Sequence, residues 1–445
     1  MSTTTHPQRK SRAPTRRTWA WRGAAVVMCG VAVIGSVAVM SWPSPPALSA
    51  LRATPASEAA TAQRPNASQP RAAARRHAAT NVLAGDQASR PDATSPLADN
   101  ETRVCGLGVV RVDDDAPLPQ DHIPAAVRAS ARSSLDTAMT THPDARTRAA
   151  ALLMRVRAGL SGDAVTEARE QDAACRFAHV DGTSDVAPYC NADAARRQAE
   201  LMAPLLPFVD QLARLAAASN DPVMHAFAQE ACEPHGLSHI ERPDSCQLAG
   251  AASWARAAPD AAEPWLLLAA QAQARGDAPA AAQALTRAAQ ARRIDGDAGA
   301  LVALASQALP ASLPPLMQAS AHAELATLDD GVPQAATAAV QQLCGTLALD
   351  AEPARRGDCA ALARLMTGQG RAASTVTAGV QLAERLGWAA EHTSAIVREH
   401  RAALDARQRY LGAGLSCEGL ERRRKLAALT AEVGEVEAGR QLASR

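Results

Sequence analysis

Lysine is nearly missing from this chain of 445 residues. Of its 46 basic residues only Lys10 and Lys425 are lysine, and both follow an arginine. A phosphate-cradling P-loop needs glycine before its lysine, so nucleotide hydrolysis by that route is excluded. Aromatic side chains are scarce as well, with three Phe, two Tyr and six Trp. Stacking platforms for bases or sugars are therefore hard to assemble. The formal net charge is +1, so no overall field draws in nucleic acid or acidic substrates. HExxH and G-x-S-x-G are absent, which removes the usual frames for zinc proteases and nucleophile elbows. These absences predict no nucleotide, no nucleic acid, no cofactor and no catalytic or metal-ligating set. The lack of lysine together with abundant alanine looks like codon pressure from a GC-rich genome.

The N-terminus carries the clearest positive signal. Arg9, Lys10, Arg12, Arg16, Arg17 and Arg22 lie in residues 1–22 with no acidic residue among them. Gly23–Trp42 follows as 20 uncharged residues. A helix of that length spans roughly 30 Å, the thickness of a bilayer's hydrocarbon core. Cations before the span and none after it until Arg52 predict a cytoplasmic N-terminus. Trp19, Trp21 and Trp42 flank it at interfacial positions. A cleaved signal peptide has a shorter apolar core, and Leu48 spoils the cleavage site at Ala47–Ala50. Cys29 lacks a lipoprotein context, and Arg16-Arg17 is only a faint twin-arginine pattern. The expectation is an uncleaved anchor in the bacterial inner membrane. Residues 43–100 are rich in Ala, Pro, Ser and Thr and predict a disordered tether. Residues 101–445 then form a domain on the far, oxidising side.

That compartment suits the cysteines. Beyond Cys29 there are eight: Cys105, Cys175, Cys190, Cys232, Cys246, Cys344, Cys359 and Cys417. Three stretches, 175–190, 232–246 and 344–359, are each bounded by two cysteines at nearly equal spacing. In each, an alanine-rich helical pattern ends near the first cysteine and another begins at the second. Local bridges would staple consecutive helices, each stabilising by roughly 3 kcal/mol for a loop of about 15 residues. Cys105 and Cys417 would then join the ends of the folded region. The competing reading is zinc at Cys232, His235, His239 and Cys246, with a partial echo at Cys175 and His179.

From about 122 onward apolar residues recur at helical spacing, and the fold class expected is all-α. Stretches from Leu135 and from Leu212 share a layout of helix, polar turn ending at Asp144 or Asp221, and second helix. Ala258–Gln290, APDAAEPWLLLAAQAQARGDAPAAAQALTRAAQ, resembles a tetratricopeptide repeat. The resemblance puts Trp265 and Leu268 on the inner face of a first helix, the turn at Gly276, and Ala281, Leu285 and Ala288 on a second. Ala272 stands where that family favours an aromatic, and Arg293 replaces its closing proline. The resemblance covers one unit and implies an irregular solenoid of helical hairpins. The wider layout resembles membrane-anchored helical proteins of GC-rich proteobacteria, which brings no activity with it.

Remaining candidates for chemistry have plain structural readings. His392 and His400 lie two turns apart on one helix face, too far for one metal ion. Asp113–Asp115 reads as a solvated turn rather than a calcium site. Arg-Gly-Asp at 275–277 and 356–358 reads as turns or helix starts. Cys417 has no identifiable histidine partner for nucleophilic work. Arg422–Lys425 reads as the polar face of a terminal helix whose apolar side is Leu420, Leu426 and Leu429, with anionic lipid as the alternative. The expected function is an envelope scaffold or adaptor with unidentified protein partners. A cell-envelope hydrolase or a redox-active envelope protein is the alternative.

Overall fold

The computed structural model describes residues 97–98, 100–112, 118–161, 164–168, 170, 192–233, 242–328, 334–412 and 414–444. The tail at 1–22, the span Gly23–Trp42, nearly all of the tether, Asp113–Asp115, His179, the Cys175–Cys190 pair, His235 and His239 lie outside them. About 75% of the described residues are helical and almost none lie in sheet, so the described region is all-α. Among the described residues no helix is long and apolar enough to cross a membrane.

A short antiparallel hairpin opens the fold, an element absent from the sequence-based expectation. Strands β1 (Glu101–Val104) and β2 (Gly108–Arg111) pair with Glu101 opposite Arg111. Four-residue strands are too short to show convincing alternation. Gly106 has φ +84°, and a Cβ there would stand 2.6 Å from the Leu316 nitrogen, so only glycine fits.

The helices come largely as hairpins. α1 (Ala125–Thr140) and α2 (Ala145–Leu160) form one, and α3 (Ala192–Met202) leads to the next, α4 (Leu206–Ala217) with α5 (Pro222–Ala231). Asp144 and Asp221, the two turn ends read from the sequence, are both N-caps. Asp144 accepts from the Thr147 amide and Asp221 from the Val223 amide. Short helices α6 (Ser245–Leu248) and α7 (Ala251–Ala257) precede α8 (Ala262–Ala274) and α9 (Ala278–Ala289). Then come α10 (Ala300–Ala308), α11 (Pro315–Leu328), α12 (Gln334–Cys344) and α13 (Thr346–Ala351). The chain ends with α14 (Arg356–Gln369), α15 (Ala373–Arg385), α16 (Ala390–Leu411), α17 (Cys417–Val433) and α18 (Glu435–Ala443).

One apolar core gathers α1, α2, α4, α5, α10 and α11, and a second gathers α8, α9, α12, α14 and α15. Buried alanines such as Ala149, Ala150 and Ala151 let the backbones of this chain approach closely. In a linear array each repeat touches only its neighbours. Here α11 returns to pack on α1, and α10 and α11 both pack on α17, so the chain closes on itself.

Three cysteine pairs are bridged, with Cα–Cα separations of 4.7 Å for Cys105–Cys417, 5.7 Å for Cys232–Cys246 and 5.8 Å for Cys344–Cys359. Cys232 caps α5 and Cys246 lies in α6; Cys344 ends α12 and Cys359 lies in the first turn of α14. Cys105 and Cys417 join the start of the fold to α17, beside the Cys105 amide's 2.8 Å bond to the Leu415 carbonyl.

The Ala258–Gln290 unit is a helical hairpin, α8 on α9, turning at Gly276 with φ +75°. Ala281, Leu285 and Ala288 are buried on α9 as expected. The inner face of α8 requires correction. Ala262, Leu266, Ala269 and Ala272 form it, while Trp265 and Leu268 are only half-buried at its flank. The Trp265 indole donates to the Pro259 carbonyl at 3.1 Å and its ring lies under the Arg287 guanidinium. A helix packed against α7, α9 and α12 is apolar nearly all round, so periodicity cannot choose its inner face. Arg293 closes the unit: its carbonyl accepts the Ala262 amide and its guanidinium pairs with Asp260.

Candidate functional site

Helices α1, α2 and α4 enclose an open groove of about 420 Å³. Arg148, Leu152 and Arg155 reach it from α2 at spacings of four and three, which put them on one helix face. Gln211, Arg214, Leu215 and Ala218 supply the opposite wall from α4 at equivalent spacing, and Thr140 closes one end. The floor is apolar and the walls carry guanidinium groups.

Each arginine is held in place. Arg155 donates from Nε and Nη2 to both carboxylate oxygens of Asp136, at 2.7 and 2.6 Å, and stacks over Phe208. Donating these hydrogen bonds to Asp136 raises the Arg155 pKa above its ordinary value. Arg214 donates to Asp210 at 2.9 Å, an exposed pair one turn apart. Arg148 donates from Nη1 to the His142 and Pro143 carbonyls, each at 2.7 Å. Those acceptors are neutral, so they orient Arg148 without cancelling its charge. Fixed guanidinium donors above an apolar floor suit a carboxylate-bearing chain that also buries a side chain. The lining offers guanidinium donors, the Thr140 hydroxyl, the Gln211 amide and apolar surface.

The residues singled out from the sequence do not converge on a second site. Cys417 is bridged to Cys105 and cannot act as a nucleophile. The Cys232–Cys246 bridge removes both thiolates from the zinc reading. Among the described residues no group of three or more His, Cys, Asp or Glu could hold a metal ion. His392 is exposed and stacks at 5.4 Å on Trp388, while burial lowers the pKa of His400. Arg275–Asp277 is the turn before α9, and Arg356–Asp358 begins α14, where Asp358 accepts from the Thr286 hydroxyl at 2.7 Å.

The basic run is a correction. Leu420 and Leu426 are buried as expected, but Arg422, Arg423 and Arg424 are half-buried and only Lys425 is exposed. Helices α10, α11, α16 and α18 pack against α17, and its exposed stripe runs through Glu418, Glu421, Lys425 and Ala428 instead. Arg424 donates to Gln318 at 2.9 Å, and burial lowers the Arg423 pKa. Against this region lies His322, 3% exposed, pushed down to about 4 by burial and by Arg424 and Arg423.

Two features escaped sequence reasoning. The groove arginines were signalled by Arg148, Leu152 and Arg155 on one face of an otherwise alanine-rich helix. The second is a set of buried acids: Glu263 on α8 and Asp295 and Asp297 in the loop after α9. The string D-G-D-A-G at 295–299 was its visible trace.

Comparison with protein-family models, with curated proteins and with solved structures found no match.

Proposed function

We propose that the chain is an inner-membrane-anchored scaffold or adaptor whose helical region binds other proteins of the cell envelope. The apolar Gly23–Trp42 segment supplies the anchor, residues 1–22 the cytoplasmic tail, and residues 43–100 a flexible tether to a periplasmic domain. That domain is an irregular array of helical hairpins, of which Ala258–Gln290 is the most tetratricopeptide-like. The observation that carries the binding role is the arginine-walled groove between α1, α2 and α4. Its Arg148 charge and apolar floor favour an acidic segment of a partner protein.

A photo-reactive residue at Gln211, in the full-length protein in intact cells, tests this. The expected result is a discrete crosslinked protein, lost when Arg148 and Arg214 are both changed to Glu. No adduct, or one indifferent to charge reversal, overturns the reading. Compartment is tested separately by thiol labelling without reductant. Protection of all eight cysteines from Cys105 to Cys417 supports the oxidising side; free reaction of all eight refutes it.

A further inference from the structure

Glu263 stands in the first turn of α8 with its residue 1% exposed. Its Oε1 accepts the Asp295 amide and, at 3.3 Å, the Gly296 amide, while Oε2 has no hydrogen-bond partner. Asp295, 2% exposed, adopts a left-handed conformation with φ +57°, rare for a residue with a side chain. Its carboxylate accepts the Ala372 amide at the start of α15 at 3.3 Å. Asp297 follows, with Oδ1 buried and unpartnered.

This loop is a joint. Next to Ala372, the Arg371 carbonyl accepts the Glu435 and Val436 amides of α18 at 2.8 and 3.2 Å. The Arg371 Nη2 donates to the Ala431 and Glu432 carbonyls at the end of α17. Gly299, at the loop's far end, lies so close to Thr430 of α17 that a Cβ would stand 2.6 Å from its methyl. The loop after α9 thus meets the start of α15 through Asp295 and α17 through Gly299, and Arg371 ties that end of α15 to α17 and α18.

The charges facing the joint do not neutralise it. Arg371 attracts Asp295, but its guanidinium bonds to carbonyls of α17. Arg157 and Glu230, from α2 and α5, face Asp297 as a mutually paired couple. Arg293 pairs with Asp260, and Glu435 of α18 with Arg407 of α16. Burial first, then Asp295 and Asp297, push Glu263 up to about 8. Burial and Asp295 push Asp297 up to about 6. A proton among such close acids belongs to the set rather than to one member.

We propose that Glu263, Asp295 and Asp297 form a proton-operated latch: a shared proton keeps the loop after α9 docked on the start of α15 and on α17, and its loss in mild alkali loosens that joint. The sign follows from linkage. A carboxyl raised in the folded state contributes stability that is complete below the unfolded value, near 4.5, and is lost as pH rises towards 8. His322, lowered to about 4, acts oppositely, and its effect is confined to pH below 6.5. Above pH 6.5 the acids therefore set the trend. Glu233, raised to about 7 chiefly by burial, adds to that trend, so a variant must isolate Glu263.

Glu263→Gln keeps an oxygen for the two amides and places a permanently neutral donor towards the other acids. In full-length, disulfide-intact protein, the wild-type unfolding midpoint falls by roughly 5 °C between pH 6.5 and 8.5. Glu263→Gln loses less than half of that. Exchange at the Asp295, Gly296 and Ala372 amides, corrected for its intrinsic pH dependence, rises about tenfold in the wild type only. Should Glu263→Gln fail to fold, Asp297→Asn serves in the same comparison. Equal slopes in wild type and variant, or a wild-type midpoint rising with pH, overturn the proposal. Stabilisation by calcium at pH 8.5 in the wild type alone also overturns it, since a cation would then take the proton's place.

Discussion

Three carboxylates of this fold sit in three different electrostatic settings. Glu324 of α11 is buried against Arg132 of α1, Nε to Oε1 at 2.9 Å, with side chains 11% and 10% exposed. Asp144 caps α2, accepting the Thr147 amide at 3.0 Å and its hydroxyl at 2.9 Å. Glu263 faces Asp295 and Asp297. Burial pushes each of the three upward, and what differs is the force set against it. At Asp144 the Thr147 hydrogen bonds prevail and the value falls below the ordinary one. At Glu324 Arg132 offsets only part of the burial effect, and at Glu263 the neighbours add to it. An acid is therefore a tie between helices, a cap or a proton store according to its burial and its neighbours.

The sharpest way to break the comparison is to strip Glu324 of its partner. Arg132→Met leaves a buried carboxylate unpaired, with an expected cost of about 3–5 kcal/mol in denaturant unfolding. Arg132→Met with Glu324→Leu recovers most of that loss, because removing both charges removes the desolvation cost; no recovery would mean that packing, not pairing, holds α1 to α11. Next in size is the acid limb. Below pH 6.5 the unfolded chain binds a proton at His322 that the folded chain refuses until about pH 4. His322 by itself should lower stability by roughly 3 kcal/mol over that window, against the gain from Glu263, Asp297 and Glu233, so His322→Gln should gain about that much on the wild type between pH 6.5 and pH 4. A smaller effect belongs to the cap. Asp144→Ala should cost about 1 kcal/mol at neutral pH, independently of either buried site. Smallest is Arg214→Ala on the exposed face of α4, where no change in midpoint is expected, while crosslinking at Gln211 should weaken.

Much of this architecture was legible in residues close together along the chain. Asp144 and Asp221 mark helix starts because a short acceptor side chain satisfies the first free amides locally. The 232–246 and 344–359 bridges were legible because their cysteines flank helix ends, leaving little conformational choice. Ala281, Leu285 and Ala288 were legible because α9 keeps an exposed side that gives the pattern contrast. Trp265 was misplaced because α8 has almost no such side. Arg422–Arg424 were misplaced because a run of cations reads as a solvated face until neighbouring helices cover part of it.

The sequence by itself determined helicity, the turns, the local cysteine pairs and the lack of a nucleotide or protease frame. Each depends on residues within a few turns of one another, whose backbone geometry is nearly independent of the rest. Only the tertiary structure decided that α11 returns to α1, that Arg148, Arg155 and Arg214 share one groove, and that Glu263 meets Asp295 and Asp297. Those juxtapositions join residues tens to hundreds of positions apart, and burial, which sets both charge state and packing, exists only once the helices have docked.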